Sequence, residues 1–378
     1  MQPIEDILQR DLLPALTGRN PPDEVTCSLF GLPARFGGLG IPRPSDNGST
    51  HNSASLEVTK PVVELILSQG NENFTDRLDE SLAEQRAAIA DIKKASREAQ
   101  NRRQIDVCSM LPISMQLPVQ LAKEPGASSW LAARPLHEHG FALHKGAFRD
   151  AIALRYGWEP ANLPSHCTCG EAFDSVHALS CGKGLVIARH NEIRDFTAGL
   201  LQEVCHDVEI EPKLQPLSGE QLERASGNRD PEARLDVRAR GLWGGGLECA
   251  FFDVRIFNPR AHSNAPTSTT TAVYRRHELV KRRQYEQRVR DVEMSSFTPL
   301  IFSASGGFGP ASTITFKRLA FRLAEKWSMP YANVMGWLRC RTSFALLRSS
   351  VMCLRGSRQH VRGRVTRPDL AIAEGRLS

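Results

Sequence analysis

The spacing of hydrophobic positions changes several times along the chain, and each change marks a different kind of element. Phe30–Pro44 holds four Gly and three Pro, so it reads as a series of turns. Ser45–Ser55 is rich in Ser and Asn and reads as a polar linker. Leu56, Val62, Val63, Ile66 and Leu67 recur at helical spacing up to Ser68, with Pro61 in the first turns. Asp79–Val107 has no Gly or Pro, and only Leu82, Ile89, Ile92 and Ala95 form a thin apolar stripe. That pattern predicts a long polar helix, either a solvated arm or one half of a two-helix surface. Trp130–Trp158 predicts two more helices, split near Pro135.

Beyond a compact Cys-rich knuckle at Cys167–Cys181, the pattern mixes periods of 3.6 and 2. Ile193, Phe196, Leu200, Leu201 and Val204 make Arg189–Cys205 an amphipathic helix. Strands are expected at Val208–Glu211, Ala233–Ala239, Leu247–Phe257 and Thr298–Ser303. A mobile Ser/Thr/Asn segment, Ala261–Ala272, is expected before a basic helix, Val273–Val292. Thr315–Trp327 and Ala332–Leu354 read as helices, and the chain should fray beyond Arg355. No internal repeat is evident. The fold class expected is α+β, with a helical N-terminal region, a small knuckle and a small mixed sheet flanked by helices.

Composition narrows the class. The 378 residues are 41% hydrophobic and 24% charged, as in a globular protein with a core. No run of apolar residues is long enough to span a membrane. The start, Met1-Gln-Pro-Ile-Glu-Asp, has no secretory pattern. Nine scattered cysteines then point to a reducing compartment, nuclear or cytoplasmic, not secreted, and to a metal rather than disulfides at the one cluster. The net charge is +6, and Arg341–Ser378 alone holds eight Arg against Asp369 and Glu374. The tail therefore carries the whole excess and is a candidate polyanion contact.

Three groups of residues carry candidate chemistry. Cys167, Cys169, His177 and Cys181 supply three thiolates and an imidazole, a closed structural zinc set, with His166 as a spare donor. Gly170 and Gly182 follow ligands, where knuckle turns call for positive φ. In the second group, Leu235, Val237 and Ala239 alternate with Arg234, Asp236 and Arg238. Asp253 and Arg255 share one face of the next strand. A two-residue turn at Gly244–Gly245 would set Asp236 directly opposite Asp253. Opposed carboxylates beside Arg234, Arg238 and Arg255 form either a salt-bridge ladder or a Mg²⁺ site suited to phosphodiester hydrolysis. The third group is the basic helix. His277, Lys281 and Tyr285 fall on roughly one face, and Arg275, Arg276, Arg282, Arg283, Arg288 and Arg290 surround them. Tyr274–Arg290 carries seven basic residues against two acids, so the helix is either a phosphate-backbone contact or an ordinary solvated face. Glu192 opens the helix before the sheet, as a dipole-favoured acid or a third acid of the site.

These residues, in this order, resemble a known family. Cys167-Thr-Cys169, His177-Ala-Leu-Ser-Cys181, Arg189-His-Asn-Glu-Ile-Arg-Asp195, Glu211-Pro212, Ala233-Arg-Leu-Asp236, Phe251-Phe-Asp-Val-Arg255 and Lys281-x-x-x-Tyr285 resemble the C-terminal portion of a non-LTR retrotransposon polyprotein. There a CCHC knuckle precedes a restriction-like endonuclease of the PD-(D/E)xK superfamily. Leu32-Pro-Ala-Arg-Phe-Gly-Gly-Leu-Gly-Ile-Pro42 resembles the segment that follows the reverse transcriptase in such proteins. The resemblance implies a restriction-endonuclease-like mixed sheet and nicking of target DNA for primed reverse transcription. It implies Asp236 and Asp253 as Mg²⁺ ligands, Glu192 as the helix acid, and Lys281 with Tyr285 as a relocated basic and aromatic pair. Leu235 replaces the motif's Pro, and Arg255 replaces a Lys; guanidinium stays protonated, so any base role falls to Lys281. No Tyr-x-Asp-Asp polymerase signature occurs. DNA, element RNA and a separate reverse transcriptase are the expected partners.

The expected organisation is a post-polymerase remnant and linker over 1–55, a helical region over 56–160, the knuckle over 161–185, the endonuclease over 186–330 and a helix with basic tail over 331–378. The chain reads as the back end of a longer polyprotein. The alternatives are a catalytically inactive nucleic-acid-binding remnant, using the knuckle and Arg-rich surfaces, and an inert helical interaction protein.

Overall fold

A computed structural model of the chain describes residues 2–68, 74–244, 246–264 and 269–356. The chain divides into two compact units, Met1–Leu117 and Pro118–Ser378. The first is helical: α1 (Gln2–Ile7), α2 (Leu13–Thr17), α3 (Glu24–Gly31), α4 (Pro44–Leu67) and α5 (Phe74–Met110). α6 (Ile113–Ala122) includes the point of division.

α4 overturns the polar linker expected at Ser45–Ser55, which is helical throughout. Three features override weak Ser and Asn propensity. Pro44 occupies the first turn, Asp46 lies near the positive helix end, and Arg103 of α5 pairs with Asp46. The Ser45 amide donates to Glu5 Oε1 at 2.6 Å, satisfying one of the otherwise unpaired N-terminal donors. Pro61 lies inside this helix, not in its first turns. α5 is the long polar helix expected. Leu82, Ile89 and Ile92 are half-buried on its apolar side, whereas Ala95 is exposed. Within the turn series expected at Phe30–Pro44, Leu32 to Arg43 turns as foreseen, with Gly37 and Gly40 at φ 93° and 73°, while Phe30 and Gly31 end α3 and Pro44 opens α4.

The second unit runs α7 (Ser129–Ala132), α8 (Lys145–Tyr156), α9 (Ser175–Ala178), α10 (Val186–Gln202), β1 (His206–Ile210), β2 (Val237–Arg240), β3 (Cys249–Phe257), α11 (Thr270–Asp291), β4 (Ser296–Ser303), α12 (Pro310–Trp327) and α13 (Tyr331–Arg355). It is α+β, with one four-stranded mixed sheet in the order β1-β2-β3-β4. β1–β2 and β2–β3 are antiparallel; β3–β4 is parallel, with α11 as the crossover. Trp130–Trp158 contains two helices, the first only the single turn α7.

The β2–β3 register is the one expected from sequence, with Val237 facing Phe252; Asp236 directly precedes β2 at a bend, its amide on Phe252 O and its carboxylate on the Val254 amide beside Asp253. The Gly244–Gly245 turn expected there includes a residue outside the described ones. Pairing ends with the Gly241 amide on Glu248 O, and the link between them includes the buried Leu242; Gly245 lies outside the described residues. β3 is also not half-exposed as alternation implied. Phe252 and Val254 pack against α10, α12 and α13 through Ile193, Leu201, Phe316 and Leu338. Phe251 packs on the other face against Leu235, Phe297 and the Tyr285 and Val289 side chains of α11. A strand covered on both faces is apolar on both, and this one holds a single buried acid, Asp253.

Thr269 caps α11, its Oγ1 accepting from the Ala272 amide at 3.3 Å. Ala261 and Asn264 are tied back to Asn258 by hydrogen bonds, so the segment expected to be mobile begins as a fixed turn; 265–268 lie outside the described residues. So does the Arg-rich tail beyond 356.

Candidate functional site

The four knuckle donors converge. Cys167 and Cys169 lie on a turn closed by the Gly170 amide on Cys167 O, with Gly170 at φ 95°; Gly182 has no positive φ. α9 presents His177, and Asp174 caps that turn by accepting from the His177 amide at 2.6 Å. The Cys181 amide donates to His177 O at 2.8 Å, placing the fourth ligand. Phe173, Ala178 and Leu354 floor the cluster. The donor atoms of Cys167, Cys169, His177 and Cys181 all lie within 4.8 Å of one another. Cys167 Sγ is 3.9 Å from Cys181 Sγ, and Cys169 Sγ is 3.3 Å from His177 Nε2. A tetrahedron built on Zn–S and Zn–N bonds of about 2.3 and 2.1 Å has edges of about 3.6–3.8 Å, so the set could hold a metal such as zinc. His166 is exposed and turns to Ser165 Oγ at 3.0 Å, outside the set. Burial pushes the Cys167 thiol up, but hydrogen bonds from the Cys169 amide, His177 and the other two cysteines outweigh it and bring it down to about 5.

The two aspartates have different surroundings. Asp253 is 5% exposed. Lys281 Nζ reaches its Oδ1 at 3.0 Å and its Oδ2 at 2.9 Å, but Oδ2 is buried and receives no well-angled hydrogen bond. Burial raises the Asp253 carboxyl to about 6; Lys281 and His190 oppose the rise and Asp236 adds to it. Asp236 Oδ2 accepts from the Val254 amide at 2.6 Å, a bond across the hairpin that fixes its rotamer. Its Oδ1 accepts from His190 Nε2 at 2.9 Å.

The arginines flanking the pair are used elsewhere. Arg238 pairs with Glu209 at 2.8 Å and Arg240 with Asp207 at 3.3 Å, both acids of β1. Arg194 and Arg234 take Glu211. The salt-bridge ladder foreseen as one reading does exist, but between β1 and β2, and it leaves both aspartates out. Arg255 is half-buried near Asp253, Arg276 and His277, and burial lowers its basicity.

His190 is the residue that sequence reasoning missed. It precedes Ile193 by three positions, so on α10 it shares the stripe that faces the sheet. Glu192 is rotated about 100° per residue away from that stripe. Burial, then Asp195, raises the Glu192 carboxyl, and it makes no side-chain hydrogen bond or ion pair among the described residues. The structure therefore brings Asp236, Asp253, His190 and Lys281 together and leaves Glu192 aside. Among the described residues the knuckle is the only set of three or more metal-type donors in mutual reach, so the aspartates offer two carboxylates and no third.

α11 has two distinct sides. His277, Glu278, Lys281, Tyr285 and Arg288 face inward. Lys281 Nζ stands 5.7 Å from the Tyr285 ring centroid, and that ring packs on Phe297, so Tyr285 is core beneath the lysine and not an exposed stacking platform. Arg288 corrects an expectation: it is 1% exposed and donates to the carbonyls of Gln215, Asn228 and Asp230, pinning the 215–230 loop, so nucleic acid cannot reach it. Arg275, Arg276 and Arg283 are exposed, Arg276 bonded to Asn264; Arg282 pairs with Glu286.

No protein-family model matches the chain, and no curated protein matches it. No helix among the described residues is long and apolar enough to cross a membrane.

Proposed function

We propose that the Pro118–Ser378 unit is a restriction-like, Mg²⁺-dependent DNA endonuclease related to those of non-LTR retrotransposons, with the Cys/His cluster as a structural zinc knuckle. One observation carries the reading: the Asp236 and Asp253 carboxylates lie near each other at the end of the β2–β3 pairing while the neighbouring arginines are committed to other acids. Like charges set near each other are unfavourable unless a cation lies between them. Mg²⁺ is commonly held by one or two carboxylates plus water and phosphate oxygens, which suits a two-carboxylate site with no third donor. The buried Asp253 Oδ2 faces the Lys281 ammonium at 2.9 Å without a well-angled hydrogen bond, so it keeps lone-pair capacity for a metal.

When bound, the ion would supply an activated water and polarise the phosphodiester. The chain's own residues do the rest. The Val254 amide and His190 fix the Asp236 carboxylate. Lys281, held over the Tyr285 ring, balances charge at Asp253 and would position water or phosphate. Arg255 stays protonated and stabilises developing charge. Arg275, Arg276 and Arg283 on the outer side of α11 would contact the DNA backbone. Nicked DNA would then serve a reverse transcriptase supplied separately, in the nucleus or cytoplasm.

The test incubates purified protein with supercoiled plasmid and Mg²⁺ beside Asp253→Ala. Wild-type conversion to open circles, lost by at least about a hundredfold in the variant, supports the reading. DNA retained on a gel without nicking would replace it with a binding-only protein.

A further inference from the structure

We propose that the groove between the 222–229 loop and the outer side of α11 seats the phosphodiester backbone of a nucleic-acid strand. Arg224, Ala225 and Ser226 of the loop line one wall, and Leu279 and Arg283 of α11 line the other. The groove is open to solvent and measures about 520 Å³. Sites of about 300–1,000 Å³ take ligands of small-molecule size, so one nucleotide unit of a strand has room there.

The loop has no regular secondary structure, yet hydrogen bonds fix its course. The Arg229 side chain donates to the carbonyls of Leu222, Arg224, Ala225 and Gly227 at 2.9, 3.2, 3.2 and 3.3 Å. α11 holds the loop from the side. Gln287 accepts from the Glu223 amide at 3.0 Å and donates to Gln221 O at 3.3 Å, and the Asn228 amide donates to Gln284 O at 2.8 Å. A loop fixed in this way presents Arg224 and Ser226 in a set place, so little ordering is needed on binding.

The charge in the groove is of one sign. Arg224, Ser226 and Arg283 are exposed, and no carboxylate lines the walls. Neither arginine forms an ion pair among the described residues. The acids close to them in sequence are drawn elsewhere: Glu286 pairs with Arg282, and Glu223 and Glu286 both lie in the field of Arg290. Two like charges bordering one groove favour an anion there, and the guanidinium forks suit phosphate oxygens. Leu279, 44% exposed beside them, gives the sugar an apolar surface. Leu279 and Arg283 each stand two positions from Lys281, about 200° around the helix, so the groove lies on the side of α11 away from the carboxylate pair. The backbone held here is therefore not the phosphodiester under attack, and the groove adds binding rather than chemistry. The proposal rests on the reading that nucleic acid is the ligand of this unit.

The full chain is titrated into a fluorescein-labelled oligonucleotide, as duplex and as single strand, and binding is read by anisotropy over a range of salt without added Mg²⁺. Arg224→Met should weaken binding about five- to tenfold at about 50 mM salt and lower the salt slope by about 0.9 on duplex or about 0.7 on a single strand. Arg283→Met should match it, and the two together should lower the slope by about twice as much. Lys317→Met, which removes one exposed charge from α12, should leave binding unchanged. Circular dichroism would confirm that each variant is folded. A loss on duplex alone assigns the groove to paired DNA, a loss on the single strand alone to an unpaired strand, and a loss on both to the backbone they share. Undiminished binding by folded Arg224→Met, or an equal loss in Lys317→Met, would overturn the groove alone. Failure of the wild type to bind either oligonucleotide would overturn the groove together with the endonuclease reading.

Discussion

Arg288 and Arg283 stand on one helix and do opposite work. Arg288 is buried and satisfies three backbone carbonyls, so Arg288→Met leaves those acceptors unpaired and should cost about 2–4 kcal/mol, read by urea denaturation. Arg283 is exposed, and Arg283→Met should change stability by under about 0.5 kcal/mol. If DNA lies along α11, that variant weakens binding evenly across sequences and lowers the salt slope by about one. Both residues look alike in a basic run, because charge count carries no information on which side of a helix meets the core. Glu124 offers a second test at this scale. Burial raises its carboxyl to about 7, against a hydrogen bond from Tyr274 at 2.9 Å. A folded-state value above the unfolded one makes the contribution to stability full below pH about 4.5 and lost as pH rises through 7. Glu124→Gln should therefore melt higher than wild type at pH 8 and alike at pH 4, by thermal denaturation at the two values. His190 was legible in principle, since its spacing from Ile193 is helical, but Glu192 drew attention as the acid. Side-chain type weighed more than position on the helix, and position decided the outcome.

Among elements, the hairpin was the most readable. Alternation in Ala233–Ala239 fixed which side chains face the core, and a slip of one residue would turn Asp236 inward. Hence the register that brings Asp236 beside Asp253 followed from sequence. The second half of α4 was expected from Leu56 on, but its first half was not readable, because Asp46–Arg103 and Ser45–Glu5 are tertiary contacts that no local pattern contains. Pro61 inside α4 removes one helical hydrogen bond, so Pro61→Ala should stabilise the first unit by about 1–3 kcal/mol in chemical denaturation. The knuckle is an element whose small apolar floor, Phe173, Ala178 and Leu354, cannot order it alone. Purified protein should carry one zinc, and chelation should open 165–181 to chymotrypsin at Phe173 while the sheet stays intact. A zinc-free preparation equally resistant there would remove the metal from the account.

At the scale of the whole molecule, charge has been sorted into separate functions. The β1–β2 ladder, the buried Arg288 and the Asp150–Arg355 pair tie the second unit together. The outer arginines of α11 are exposed, as the proposed DNA contact requires. The near-neutral total hides this division, since acids paired within the fold cancel bases that face solvent. The pair Asp236 and Asp253 is met by His190 and Lys281, and the central claim is that a divalent cation joins the two carboxylates there. Calorimetric titration of Mg²⁺ into zinc-loaded protein tests it most directly, beside Asp236→Asn and Asp253→Asn confirmed as folded. The account predicts saturable binding in wild type that either substitution abolishes; equal heats in all three proteins would contradict it.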